Sequence, residues 1–385
     1  MEAAARAGLS PVATIGVRMA LEPGSGPTAV PVRSAFVGAV FGVVGLVAVL
    51  MFASSLDHLV TTPRLYGWTW DFAAVVDDVK IIRPGTPLVR QTGLAAVAGL
   101  ATDNAQLDGR PVIVWEVSSL RGRISPEIVA GRLPRGSDEI ALGAASLHSL
   151  DKKLGGVVRG EGPNGSHDYR IVGRVVFPKL NSPQPLASGA TLTDAGLARM
   201  MGPDDSNGSW YLLARLAPGA NAGAVERQVS SLASVERPFG ASVPVEVGRL
   251  RQVGWLPASL AALLSVLALL AAGHSLVTGV RRRRRDLALL KTLGFDRRQV
   301  RATVASQATT IATVGLVVGV PAGLVVGNLV WGRVADGLGI RATGVVPTLA
   351  LLVAVPSVLA LVNLTAFLPA RAAALIRPAV ALRSE

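Results

Sequence analysis

The chain has 385 residues, of which 50% are hydrophobic and only 16% charged; it is too apolar for an ordinary soluble protein and too long to consist of membrane spans alone. Its net charge of +13 would suit nucleic acid, but the distribution of the charge, given below, excludes that reading. The absence of cysteine rules out disulfides and a lipidated N-terminal thiol and leaves the compartment open.

In chain order, Ser10 and Pro11 read as an N-cap followed by proline at the first helical position. The apolar stretch that follows, ending at Pro23 and Gly24, predicts a short helix lying along a membrane surface. Residues 24–31 read as a loop into the first of four uncharged apolar runs, at 35–56, 254–280, 302–332 and 347–368. Each is long enough to cross roughly 30 Å of hydrocarbon. The first starts late and has no convincing small-residue cleavage site, so it reads as a retained anchor.

Between the first two runs, 57–253 reads as mixed α and β. Strands are predicted at 111–117, 139–142, 169–176, 210–216 and 243–247, with helices at 92–102 and 221–232. The strand at 210–216, the Pro218-Gly219 turn and the helix after it form a βα unit returning near Val243. The stretches 160–167 and 178–189 are rich in Gly, Pro, Ser and Asn and read as loops.

Residues 281–301 separate the second and third runs. The segment 281–293 is compatible with a helix, Gly294 is placed to end it, and Asp296 with Gln299 is a capping-box variant that starts the next. Leu287, Leu290 and Leu293 share a helical spacing that would bury one face, with Arg283 and Lys291 pointing elsewhere. A basic loop that merely anchors two spans is the alternative. The third run carries Gly315, Gly319, Gly323 and Gly327 four apart, and the first carries Ser34, Gly38 and Gly42; such stripes let a neighbouring backbone approach closely. They serve either packing within one subunit or a sliding or dimerising surface. Pro321 and Pro356 would kink their helices.

Outside the spans, the N-terminal segment, the segment after the second span and the C-terminal tail hold 15 basic and five acidic residues, whereas 57–253 holds 21 and 19. This positive-inside distribution places both termini and 281–301 in the cytoplasm and the large segment outside. Only five of the 38 basic residues are lysine, a usage typical of GC-rich bacterial genomes.

Sites for chemistry are sparse. There is no Gly-x-x-x-x-Gly-Lys-Ser/Thr phosphate loop and no Gly-x-Ser-x-Gly elbow. His58, His148, His167 and His274 lack metal spacing. His274 is the one titratable group in a predicted span, where packing is a more economical reading than proton relay. No Asp, Glu, Lys or Arg lies within a run, which disfavours an ion-driven carrier. The adjacent acids Asp77-Asp78, Asp138-Glu139 and Asp204-Asp205 face opposite ways on a strand and read as solvated turns. The chain is expected to be no enzyme and to bind no cofactor or metal.

The order of one span, a large outer domain and three spans, the segment RRRRRDLALLKTLGFDRRQV at 281–300 and the tail PARAAALIRPAVALR at 369–383 together resemble the FtsX/MacB-type permeases of ABC transporters. GRLPRGSDEIALGAASL at 131–147 and YRIVGRVVFP at 169–178 resemble the periplasmic core of those permeases, and 210–232 their βαβ-type subdomain. The implied fold is an α-helical membrane protein with four transmembrane helices and an α+β extracytoplasmic domain inserted between the first and second. Its domains would be a cytoplasmic interfacial helix and loop at 1–34, spans at 35–56, 254–280, 302–332 and 347–368, the outer domain at 57–253, a cytoplasmic coupling helix at 281–301, a short outer loop at 333–346 and a cytoplasmic tail at 369–385. The resemblance implies a bacterial plasma-membrane subunit that transmits the motion of a separate ATPase, which would hold ATP and Mg, and that pairs with a second permease half. Coupling would fall to Arg281, Arg283, Asp286, Leu287, Leu290, Lys291, Leu293, Gly294, Asp296 and Arg297. The opening segment, with Gly16 to Leu21, resembles the linker between the repeats of two-unit permeases, so the chain is either a single unit or a C-terminal half. Cargo would be amphiphilic (lipid, lipoprotein, peptide or drug); the alternative is a signal relay acting on an outer partner such as a cell-wall hydrolase. A passive anchored receptor would need no capped coupling helix.

Overall fold

The computed structural model describes residues 10–22, 32–180, 186–202, 208–232, 234–252 and 254–375, with the side chains of 32, 33, 250–252 and 257 excepted. The expected stop at Pro23-Gly24, the loop at 24–31, the pair Asp204-Asp205 and the tail beyond 375 lie outside the described residues, as does part of the loop at 178–189. The chain divides into two compact units, one of Met1–Ser55, Val253–Trp331 and Gly344–Glu385, the other of Leu56–Gln252 and Gly332–Thr343.

The first unit is helical. Helix α1 (Pro11–Leu21) begins as its sequence predicts, with Ser10 Oγ accepting the Ala13 N–H at 3.3 Å and Pro11 in the first turn. Four helices are long and apolar enough to cross a membrane: α2 (Val32–Thr61), α7 (Trp255–Arg282), α9 (Arg297–Leu338) and α10 (Thr348–Ala374). Much of their surface is uncovered and apolar, as at Phe41 and Leu349, 71% and 79% exposed. A surface of this kind is incompatible with water as the only solvent.

Helix α2 packs through two different faces. On one, the glycines of α9 receive it in parallel register: a β-carbon added at Gly315 would lie 3.1 Å from Ala39 Cβ, at Gly319 2.7 Å from Val43 Cβ, at Gly323 2.6 Å from Val47 Cβ and at Gly327 3.0 Å from Met51 Cβ. Each step of four on α9 meets a step of four on α2, so Val43, Val47 and Met51 are buried. On the other face the small residues belong to α2 itself. Gly38 approaches Ala271, Gly42 approaches Ala268 and Gly45 approaches Leu264, an antiparallel run against α7. Asn363 of α10 is tied to α9 by donating from Nδ2 to Thr309 Oγ1 at 3.0 Å, and it also donates to the Leu359 carbonyl.

The second unit is built on one ten-stranded mixed sheet. Its strands are β1 (Phe72–Val76), β2 (Leu94–Leu107), β3 (Arg110–Arg121), β4 (Glu127–Gly131), β5 (Glu139–Gly143), β6 (Val157–Gly162), β7 (Gly165–Val176), β8 (Ala190–Thr191), β9 (Ser209–Leu216) and β10 (Phe239–Gly240). They run in the order β10-β1-β9-β2-β3-β8-β5-β7-β4, with β6 joining β2 and β7. Among the short helices that accompany them are α3 (Ala144–Ser149), α4 (Asp194–Met201), α5 (Ala222–Ser230) and α6 (Val245–Gln252). One core gathers Tyr169, Ile140, Leu142, Met200 and their neighbours; another gathers Phe72, Leu88, Val97, Leu212 and Val229.

Three expectations are overturned in this unit. The helix predicted over 92–102 is the central strand β2, paired with β9 on one side and β3 on the other. Its Ala- and Leu-rich sequence favours a helix locally, but burial on both faces makes it read as a continuous apolar run, and the sheet overrides the propensity. Residues 243–247 run instead into helix α6, whose first turn carries Glu246 in an ion pair with Lys179 at 2.7 Å. The loop predicted at 160–167 is a tight hairpin of β6 and β7 around Pro163 and Asn164. Its Gly and Asn content is turn chemistry, and Gly165 takes a φ of 102°. The βα unit forms, but its return strand is β10; β9 and β10 each lie antiparallel to β1, hence parallel to each other.

The stretch 131–147 has a local explanation. Arg132 pairs with the Glu139 carboxylate, which also accepts the Arg135 and Gly136 amides at 2.8 and 3.3 Å. Glu139 therefore closes a loop rather than standing solvated. The Arg132 guanidinium, followed by these amides, lowers its pKa from 4.5 to about 2. A carboxyl held low in the folded state stabilises above its unfolded value and loses that contribution as pH falls through the folded one. Glu139→Gln is therefore expected to be less stable than wild type at neutral pH, with the deficit shrinking below pH 4.5 and gone near 2. Denaturation at a series of pH values measures this; a deficit independent of pH would contradict the pairing.

Candidate functional site

The segment joining α7 to α9 is the candidate site, a short helix α8 (Arg284–Thr292) with no side-chain cap at its start and a hydrogen-bonded cap at its exit. One helix is expected over 281–293, but the structure breaks it at Arg283, whose φ of −97° and ψ of 25° end α7 and begin α8. Arg281 therefore lies in the last turn of α7. Residues 281–301 hold the end of one helix, the whole of a second and the start of a third.

The exit from α8 follows the sequence closely. Gly294 adopts a φ of 96°, a left-handed conformation that only glycine takes without strain. Its N–H donates to the Lys291 carbonyl and that of Phe295 to the Leu290 carbonyl, both at 3.1 Å, the hydrogen-bond pair of a Schellman motif. Asp296 and Gln299 then cap each other: the Asp296 N–H donates to Gln299 Oε1 at 2.9 Å and the Gln299 N–H to Asp296 Oδ1 at 2.7 Å. This reciprocal box starts α9 at Arg297. Both turns are closed by their own hydrogen bonds, which makes the corner stiff.

The faces of α8 differ from the expectation. Leu287 and Ala288 are buried, and Leu290 and Phe295 pack partly against a core of Val280, Leu287, Val300, Val304, Ala370 and Ala373. Leu293, expected inside, is 78% exposed, and Leu289 is 50% exposed. Arg283, expected to point away, is only 8% exposed. Its guanidinium donates to the Glu22 carbonyl oxygen. Burial pushes its pKa down from the ordinary value, with Asp286 and Glu22 opposing the shift. Lys291 Nζ donates to the Ala374 carbonyl at 2.7 Å, and burial, then Arg297, lowers its pKa. The side chains left on the surface include Leu289 and Leu293 together with Arg284, Arg285, Asp286, Asp296, Arg297 and Arg298. Spacing alone could not reveal this inversion, because Arg283 is buried by contact with α1, more than 200 residues earlier.

Such a surface has two exposed leucines in a basic surround on a helix that is capped at its exit. Among the described residues no three His, Asp or Glu side chains gather as a metal site. The surface is suited to binding a protein partner with an apolar pocket and an acidic rim.

Residues 258–378 match the family model of the FtsX-like permease C-terminal domain. Among solved structures, the chain is similar to a domain of a "putative Permease protein" from Porphyromonas gingivalis, with 13% sequence identity and a TM-score of 0.28, over 47% of this chain and 95% of that one. No curated protein matches the chain.

Proposed function

We propose, from the match of residues 258–378 to the FtsX-like permease C-terminal domain, that the chain is the non-catalytic membrane subunit of an ABC transporter and passes the motion of a separate ATPase to an outer domain. The observation that carries this reading is α8: a short helix closed at its exit by a glycine turn, with Leu289 and Leu293 exposed among arginines. An ATPase subunit would seat these leucines in a groove and pair the arginines with acidic side chains. ATP and Mg would be held by that ATPase, and this chain would bind neither.

In this reading the four long helices cross the bacterial plasma membrane, with α1, α8 and both termini in the cytoplasm and the sheet unit outside, as the excess of basic residues supports. A second permease half completes the transporter. Helix α9 supports a transmitting role, since it starts at the coupling corner and continues as one helix over Arg297–Leu338. Cargo is amphiphilic. An apolar cavity of about 280 Å³ among the long helices, walled by Leu46, Leu269, Ile311 and Leu361 with Ser265 and Ser357, supports the handling of hydrocarbon.

The test is copurification. The full-length chain in lipid nanodiscs is expected to retain an ABC ATPase, and ATP hydrolysis by that ATPase is expected to change on association. A wild-type chain that retains none, even with a second permease half present, would overturn the reading.

A further inference from the structure

Arg283 and Lys291 were expected to face a partner, yet both are spent inside the chain, and each at the same kind of place. Arg283 donates to the carbonyl of Glu22, the C-cap of α1, and Lys291 to the carbonyl of Ala374, the last helical residue of α10. The final carbonyls of a helix lack intrahelical partners and sit at the negative end of its macrodipole, so a cation there satisfies both. We infer that Arg283 and Lys291 are positioning residues that cap two neighbouring helices, so that α1, α8 and the end of α10 move as one coupling body. This rests on the proposed coupling role of α8 and adds to it a member, α1, that the docking surface does not require.

Independent contacts seat α1. Gly16 lies so close to α9 that a β-carbon there would be 2.6 Å from Ser306 Cβ and 2.7 Å from the Thr303 carbonyl. Ser306 Oγ donates to the Ala13 carbonyl at 3.2 Å. Ala20 is buried with Ala35 and Ile311, and Met19 packs against the core under α8. Arg18 pairs with the Glu22 side chain at 2.7 Å, which leaves the Glu22 carbonyl to Arg283. A helix held this way on α9 and bonded to Arg283 at its end is a strut.

The experiment uses the full-length chain in nanodiscs and two readouts. Amide exchange, read without any ATPase, is expected to quicken about tenfold or more across both 284–292 and 11–21 in Arg283→Ala, and to return most of the way in Arg283→Lys, which can still donate to a carbonyl. Gly16→Leu, which displaces α1 without touching α8, is expected to quicken exchange in 284–292 as well. With an ABC ATPase that copurifies with wild type, Arg283→Ala is expected to keep its affinity within about twofold while the change in ATP hydrolysis falls about fivefold or more. Wild-type exchange in 284–292 for both Arg283→Ala and Gly16→Leu would overturn the inference, as would full ATPase response in Arg283→Ala. If wild type binds no ATPase, the coupling reading fails and the exchange arm still decides whether α1 and α8 are tied.

Discussion

Leucine in place of Gly323 is expected to force α2 and α9 apart and to lower the unfolding free energy of the helical unit. A β-carbon there already lies 2.6 Å from Val47 Cβ and 3.0 Å from the Val44 carbonyl oxygen. One of those atoms is backbone and the other is fixed to it, so no rotamer change relieves the overlap. Overpacking a close-packed site costs about 1–3 kcal/mol, and the cost should reach the upper end here because the neighbouring glycines repeat the contact along the helix. In lipid no hydrophobic gain between helices makes up the loss, since close packing is itself the main adhesion. Gly273 is the control: nothing lies within 4 Å of a β-carbon at that position, and Gly273→Leu should change stability by less than about 0.5 kcal/mol. Unfolding in nanodiscs measures both. Equal stability of the two variants would mean that the glycine stripe does not hold α2.

The second large effect is expected at Leu293. It is 78% exposed on the surface proposed for the ATPase, and its side chain supports no part of the core, so Leu293→Asp should fold normally. An apolar anchor at the centre of an interface is worth about 2 kcal/mol or more when removed, and an acid adds repulsion from the acidic rim that the surrounding arginines imply. Affinity for the ATPase should fall about thirtyfold or more, read by titration in nanodiscs. Leu287→Asp would be uninformative, because Leu287 is buried in the base of α8.

The sequence made legible whatever depends on near neighbours. Gly294, Asp296 and Gln299 announced the turn at the end of α8 because a Schellman motif and a capping box are completed within a few residues. Ser10 and Pro11 announced α1 for the same reason. The glycines of α9 announced a close approach through their spacing, while the partner face, Ala39 to Met51 of α2, depends on tertiary register. Longer-range effects escaped. Residues 92–102 looked helical because Ala and Leu favour a helix in isolation, and only the pairing with β9 and β3 makes them a strand. Leu293 looked buried because it shares a spacing with Leu287, but Gly294 ends the helix at once and leaves it at an open edge. Arg283 looked solvated because arginine usually is; a carbonyl offered by α1 takes it inside.

The coupling account stands or falls on transmission from the ATPase to the sheet unit. Amide exchange across residues 56–252 of the chain, assembled with its ATPase in nanodiscs and compared with and without ATP and Mg, tests it most directly. The sheet unit binds no nucleotide in this account, so the predicted result is a change in its exchange that requires ATP and disappears in Leu293→Asp. Exchange in 56–252 that is the same with and without ATP, while the ATPase is bound and active, would contradict it.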